Sequence, residues 1–189
     1  MSLIQQKKSR RSMIFLITIF GVPVILAKLA LTFHWFDYGV TNKGVLVENS
    51  LTLENLGLSD ELSGKNWYIL YANINTCEQH CEKVIESVML TYTALGREMP
   101  RVSPVFITSS PLSELEPKLK PQAKLKLLQW DNMSQKTKDY FTASQVLIVD
   151  PLGNVVLSHT PPESLKQLPF FGKEILVDMK KLLKYSRVG

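Results

Sequence analysis

Cys77 and Cys81 stand in the stretch NTCEQHCEKV (residues 75–84), with His80 between them, and the chain has no other cysteine. At this spacing the two side chains suit three kinds of chemistry. They can exchange thiol and disulfide with a partner, Cys77 attacking and Cys81 resolving. As thiolates they are soft ligands that suit Cu(I), and copper is the metal this reading expects. They can also be two small residues at a helix start, with an inert bridge or none. Cu(II) would want nitrogen as well, and His80 and His159 are the candidates. The plainer reading puts His80 in solvent on a first helical turn and His159 on the surface at a strand end. His34 belongs to an apolar flank. One pair makes one bridge, not a disulfide-dense scaffold. A Gly-rich phosphate loop, a His-Glu-x-x-His pair and a Ser-His-Asp pattern are all missing, and Asp150 belongs to a turn.

Whether such a pair is oxidised depends on where the chain lies. Lys7, Lys8, Arg10, Arg11 and Lys28 precede the first acidic residue, Asp37; of the 22 basic residues, 17 remain to balance 17 acidic ones. The net charge of +5 therefore belongs to the first 28 residues, and a nucleic-acid surface on the body is not indicated. Residues 13–36 are apolar apart from Lys28, Thr18, Thr32 and His34. About 20 apolar residues span a bilayer core, so the stretch reads as a transmembrane anchor, with Lys28 snorkelling and Trp35, Phe36 and Tyr38 as an aromatic belt. A cleaved signal peptide is the weaker reading, because no small-x-small site precedes the body. The basic run keeps residues 1–12 cytoplasmic as a tail and sends the body outward. In a bacterial inner membrane the body would face the periplasm, where disulfides persist.

The body must hold the pair. Residues 37–64 read as a tether and short edge strands, and residues 65–189 as one domain. KNWYILYANI is a buried strand. From Cys77, the apolar residues Cys81, Val84, Ile85, Val88, Met89, Tyr92 and Leu95 recur at helical steps, with Thr76 as N-cap and Gly96 and Pro100 as the stop. RVSPVFITSS is a second strand, so strand–helix–strand predicts a parallel pair. Residues 111–141 read as one or two short helices broken by Pro117 and Pro121, with Lys118, Lys120, Lys124 and Lys126 on a solvated face. SQVLIVDPLGNVVLSH is a hairpin across an Asp-Pro-Leu-Gly turn. Ile175, Leu176, Met179, Leu182 and Leu183 make an amphipathic closing helix. This is the order of an α/β, thioredoxin-like fold, with Cys77 at the start of the longest soluble helix. A helical i, i+4 placement predicts Cα atoms close to 6 Å apart and a somewhat strained bridge.

An anchor, a strand leading into Cys-x-x-x-Cys and a helix, and the late LIVDPLG hairpin together resemble the Sco/SenC proteins. These are anchored thioredoxin-like copper factors for the assembly of cytochrome c oxidase. The resemblance implies the inner membrane and an oxidase subunit or another assembly factor as partners, with copper handled at Cys77 and Cys81. It also implies a proline after the second cysteine and a distal histidine before the Asp-Pro turn. Here Glu82 stands at the first place, and DYFTASQVLIVDP has no histidine, Thr142 or Ser144 falling near the second. Nor does Ala143-Ser144-Gln145 offer the cis-proline that faces the pair in thioredoxins. Partner-specific exchange and a docking role without chemistry are the alternatives these departures open.

Overall fold

WYILYAN, the most apolar run of the body, is buried at every residue as strand β2 (Trp67–Asn73). Such a run fits a strand covered on both faces. The computed structural model describes residues 3–33, 42–47, 51–62, 66–115, 124–130, 137, 140, 141 and 143–186. It divides into two units, 1–41 and 42–189.

In the first unit, helix α1 (Leu3–Thr32) runs through Pro23. Its segment Ser12–Thr32 is long and apolar enough to cross a membrane. Its large apolar side chains, Phe15 and Phe20 among them, lie bare. The Thr18 and Thr32 hydroxyls donate to the carbonyls of Ile14 and Lys28, each at 2.8 Å, so neither leaves its polar group facing lipid unpaired. Trp35, Phe36 and Tyr38, read as an aromatic belt, lie outside the described residues, as does His34.

The second unit is built on a six-stranded sheet: β1 (Val45–Leu46), β2, β3 (Val102–Thr108), β4 (Lys126–Gln129), β5 (Gln145–Val149) and β6 (Val155–His159). The order across it is β1-β6-β5-β2-β3-β4. β2 and β3 are parallel, as strand–helix–strand predicts, and β5 returns antiparallel to β2 on the other side. Between β2 and β3 lies α2 (Gln79–Ala94), and the chain closes with α4 (Leu168–Tyr185). Gly96 takes φ 59° just past α2, a left-handed position that glycine occupies without strain. The β5–β6 hairpin turns at Asp150, whose carboxylate accepts the Leu152 and Asn154 amides, with Gly153 at φ 88°.

Alternation on the strands sorts the core into two layers. Ile69, Tyr71, Phe106, Val146 and Ile148 face α2 and α4, where Val84, Val88, Ile175 and Met179 pack on them. Leu70, Val105, Ile107 and Leu147 face the other way, onto Leu53, Leu56, Leu58, Leu62, Trp130 and Phe141. The leucines of LTLENLGLSDEL thus cover the sheet's second face.

Four expectations need correction. Residues 126–129 form strand β4, parallel to β3, where a helix was expected, and the preceding helix α3 is only Leu112–Leu115. The reason is apolar residues on both faces: Leu125 and Leu127 pack against one layer, Leu128 and Trp130 against the other. Lys124 and Lys126 are exposed, and Lys118 and Lys120 lie outside the described residues. Helix α2 starts after Cys77, with Glu78 rather than Thr76 at its N-cap. Finally, α4 at 18 residues is longer than α2 at 16.

Candidate functional site

The loop between β2 and α2 hangs from both neighbouring strands. The Ser144 hydroxyl, just before β5, donates to Asn73 Oδ1 at 2.7 Å, and Asn73 Nδ2 donates to the Asn75 carbonyl at 2.7 Å. From the other side, the Ser109 hydroxyl after β3 donates to the Ile74 carbonyl at 3.1 Å. These bonds fix residues 73–75 at the C-terminal edge of the parallel strands, and Cys77 follows two residues later.

Cys77 and Cys81 form a disulfide with Cα atoms 5.1 Å apart. That is shorter than the expected 6 Å, because Cys77 precedes the first helical residue and the pair is not two helical positions one turn apart. The separation falls well within the disulfide range, so the argument for strain from helical spacing does not hold. Both residues are buried, Cys77 at 8% and Cys81 at 5% exposure, among the residues that α2 and α4 enclose. Cys77 has the greater exposure and is the sulfur more open to attack.

Neither histidine is where the plain reading put it. His80 is half-buried, and its Nε2 donates to the Pro162 carbonyl at 2.8 Å, tying the start of α2 to the segment before α4. His159 is not on the surface. It is 5% exposed, pairs across the sheet with Val146, and its ring meets Phe171 edge-on. Its Nε2 lies 3.3 Å from Asp178 Oδ2, an ion-pair distance without hydrogen-bond geometry. Burial lowers the His159 pKa, with the charges of Asp178 and Glu174 opposing the shift. Tyr71, on the same face of the sheet, has its phenol pushed up to about 12 by burial, and the Ser144 hydroxyl pulls the other way. It stays neutral near pH 7 and supplies no base.

For copper, the donor set decides the fit. Among the described residues no group of three or more His, Cys, Asp or Glu side chains could hold a metal ion. Ser144, near the place of the distal histidine, is bonded to Asn73, and Thr142 lies outside the described residues. What remains is two sulfurs, enough for linear Cu(I) after reduction and not for a Cys₂His site.

Two participants escaped sequence reasoning. Asn73 ends an apolar strand and reads there as a mere breaker, yet it is 2% exposed and ties the loop to Ser144. Asp178 is fully buried, and its signal was present: an acid on the core-facing stripe between Ile175 and Leu182.

Among solved structures, the chain is similar to copper-bound ScoI of Arabidopsis thaliana (15% identity, TM-score 0.44), over 65% of this chain and 88% of that one. It is also similar to apo Sco1 of Thermus thermophilus (11% identity, TM-score 0.45), over 76% of this chain and 99% of that one. A third is a secreted Mycobacterium tuberculosis disulfide oxidoreductase homologous to E. coli DsbE (13% identity, TM-score 0.41; 59% and 83% covered). No curated protein matches the chain significantly. The family model described as transmembrane-like, thioredoxin-like, C-terminal domain matches residues 67–186, from the first residue of β2 to just past α4. With more than half its length matched, the chain belongs to the transmembrane-like, thioredoxin-like family.

Proposed function

We propose that this chain is a membrane-anchored assembly factor that exchanges its Cys77–Cys81 disulfide with the thiols of one partner. That partner is a cytochrome c oxidase subunit or another assembly factor. The observation that carries the reading is the pair itself: a disulfide at the edge of the parallel strands, on a loop held from both sides. The oxidase partner rests on the resemblance of anchor, cysteine spacing and hairpin to the Sco/SenC proteins. A periplasmic body on a bacterial inner membrane rests on the basic residues before α1's apolar segment.

In the exchange, a partner thiolate attacks Cys77 Sγ, a mixed disulfide forms and Cys81 leaves as thiolate. A second partner thiolate then displaces Cys77, so two electrons and two protons pass from the partner's dithiol to the pair. The reverse reaction reduces a partner disulfide with the same balance. A helix N-terminus favours the thiolate over the thiol, which suits a pair placed just before α2 and in its first turn.

A specific observation also favours a second reading. With Cα atoms 5.1 Å apart, the reduced sulfurs both reach one Cu(I) ion. Either histidine would first have to leave its present partner, Pro162 for His80 or Asp178 for His159.

The test is made in a bacterium dependent on the chain. Cys81→Ser should trap a mixed disulfide through Cys77, resolvable by non-reducing electrophoresis and mass spectrometry, and oxidase activity should fall. Normal oxidase activity in both Cys77→Ser and Cys81→Ser would defeat the reading and leave a docking domain. Reduced full-length protein, dialysed against a Cu(I) chelator, separates the copper reading: one ion per chain retained supports it, and none removes it.

A further inference from the structure

Asp178 is the only buried carboxylate among the described residues, and it is 0% exposed. It sits on α4 between Ile175 and Met179, where an apolar side chain would fit the stripe. Taking an ionised carboxylate out of water is expensive unless its oxygens are met, and apolar residues in such places are often at least as stable. What Asp178 holds explains its presence. Its Oδ2 accepts the Lys43 and Gly44 amides, each at 2.8 Å, and its Oδ1 accepts Lys43 again at 3.0 Å. Lys181, one turn on, donates to Asn42 Oδ1 at 3.1 Å. Gly44 is pressed so closely onto His159 that an added Cβ would stand 2.5 Å from the ring.

Beyond this clasp the chain is held lightly. β1 pairs with β6 through Val45 and Leu46 alone, and Val47 adds one amide to the Val156 carbonyl at 3.2 Å. The next anchorage is at Leu51 and Leu53, bonded to Val155 and Gly153 at 2.8 Å each.

We propose that Asp178 is a latch that fixes where the connection from the membrane helix joins the body, and so limits how far the cysteine pair ranges from the bilayer. Nine residue steps separate Phe33 from Asn42, at most ~32 Å of chain. With the latch open, the free segment runs to Leu51, eighteen steps and at most ~65 Å. The latch halves the reach. The inference does not depend on which chemistry the cysteines perform.

The experiment uses the full chain in lipid nanodiscs, with the native disulfide left oxidised. Hydrogen exchange reads the Lys43 and Gly44 amides. A dye on Leu152→Cys, an exposed hairpin position, reads the height of the body by energy transfer to acceptor lipids. Asp178→Asn should speed exchange of both amides about ten- to hundredfold, the loss expected for bonds to a charged acceptor. It should also broaden the height distribution toward longer distances. Unchanged amide exchange overturns the proposal, and so do freed amides with an unchanged height distribution. If Asp178→Asn does not fold, Gly44→Ala decides, because its Cβ must lift the segment off His159 with the carboxylate intact. Full protection of Lys43 in that variant would likewise overturn the latch.

Discussion

Cys77 and Cys81 close a ring of only five residues, so their bridge removes little freedom from the unfolded chain. Loop-closure entropy for that ring is about 2 kcal/mol. Cys77→Ser and Cys81→Ser should therefore lower Tm by several degrees and keep the circular dichroism of the fold; an unfolded variant would make the pair a structural staple. His159 sets a pH dependence. Burial lowers its folded pKa below the usual 6.5, so the native state prefers the neutral ring. Its contribution is fully present above about pH 6.5 and is lost as pH falls below that value, by at most about 1.4 kcal/mol per pH unit. Urea unfolding between pH 7.5 and 5 should show this slope, and His159→Gln should flatten it. The cysteine pair was legible because rare residue types at fixed spacing stand out in any sequence. The burial of His159 was not, since it depends on Asp178 and Gly44, 19 residues later and 115 earlier.

At the scale of elements, the contact between α2 and α4 makes a sharp prediction. Gly172 lies where α4 approaches Ser87 and Thr91, whose hydroxyls donate to the Leu168 and Gly172 carbonyls at 3.2 Å. A Cβ at 172 would stand 2.9 Å from Thr91 Oγ1 and 3.0 Å from Ser87 Oγ. Alanine in mid-helix normally gains up to about 1 kcal/mol over glycine. Here overpacking costs about 1–3 kcal/mol, so Gly172→Ala should destabilise the body in thermal melts. A rise in Tm would mean that the helices separate without loss. β2, α2 and the hairpin were legible because each carries a clean local signal: an unbroken apolar run, a 3.6-residue stripe, or an Asp-Pro-Leu-Gly turn. β4 was not. Its lysines suggest a wet helix, and its apolar residues alternate to both faces only once the sheet exists to receive them. The leucines of residues 51–62 hid for the same reason, since irregular chain takes no periodicity from the surface it covers.

For the whole molecule, the basic residues before α1's apolar segment predict a cytoplasmic N-terminus and an outward body. Alkaline phosphatase fused after residue 189 should be active in a bacterial host; a stable, inactive fusion would reverse the topology. Overall architecture was readable because the order of strands and helices admits few layered arrangements. The clasp that joins residues 43–44 to Asp178 spans nearly the entire body, and sequence separation of that size leaves no local trace.

The same layout has a consequence for synthesis. Leu168, Phe171, Ile175, Met179 and Leu183 of α4 close over the layer that holds the cysteines, and α4 begins 87 residues after Cys81. At about 5–20 residues per second, the ribosome needs roughly 4–17 s to make that interval. During that time the two thiols are already translated while the helix that buries them is not. A ring so small needs no folded body to bring its ends together. An oxidant can therefore act on the nascent chain before the body is complete, and the protein would be born with its redox state set by its surroundings.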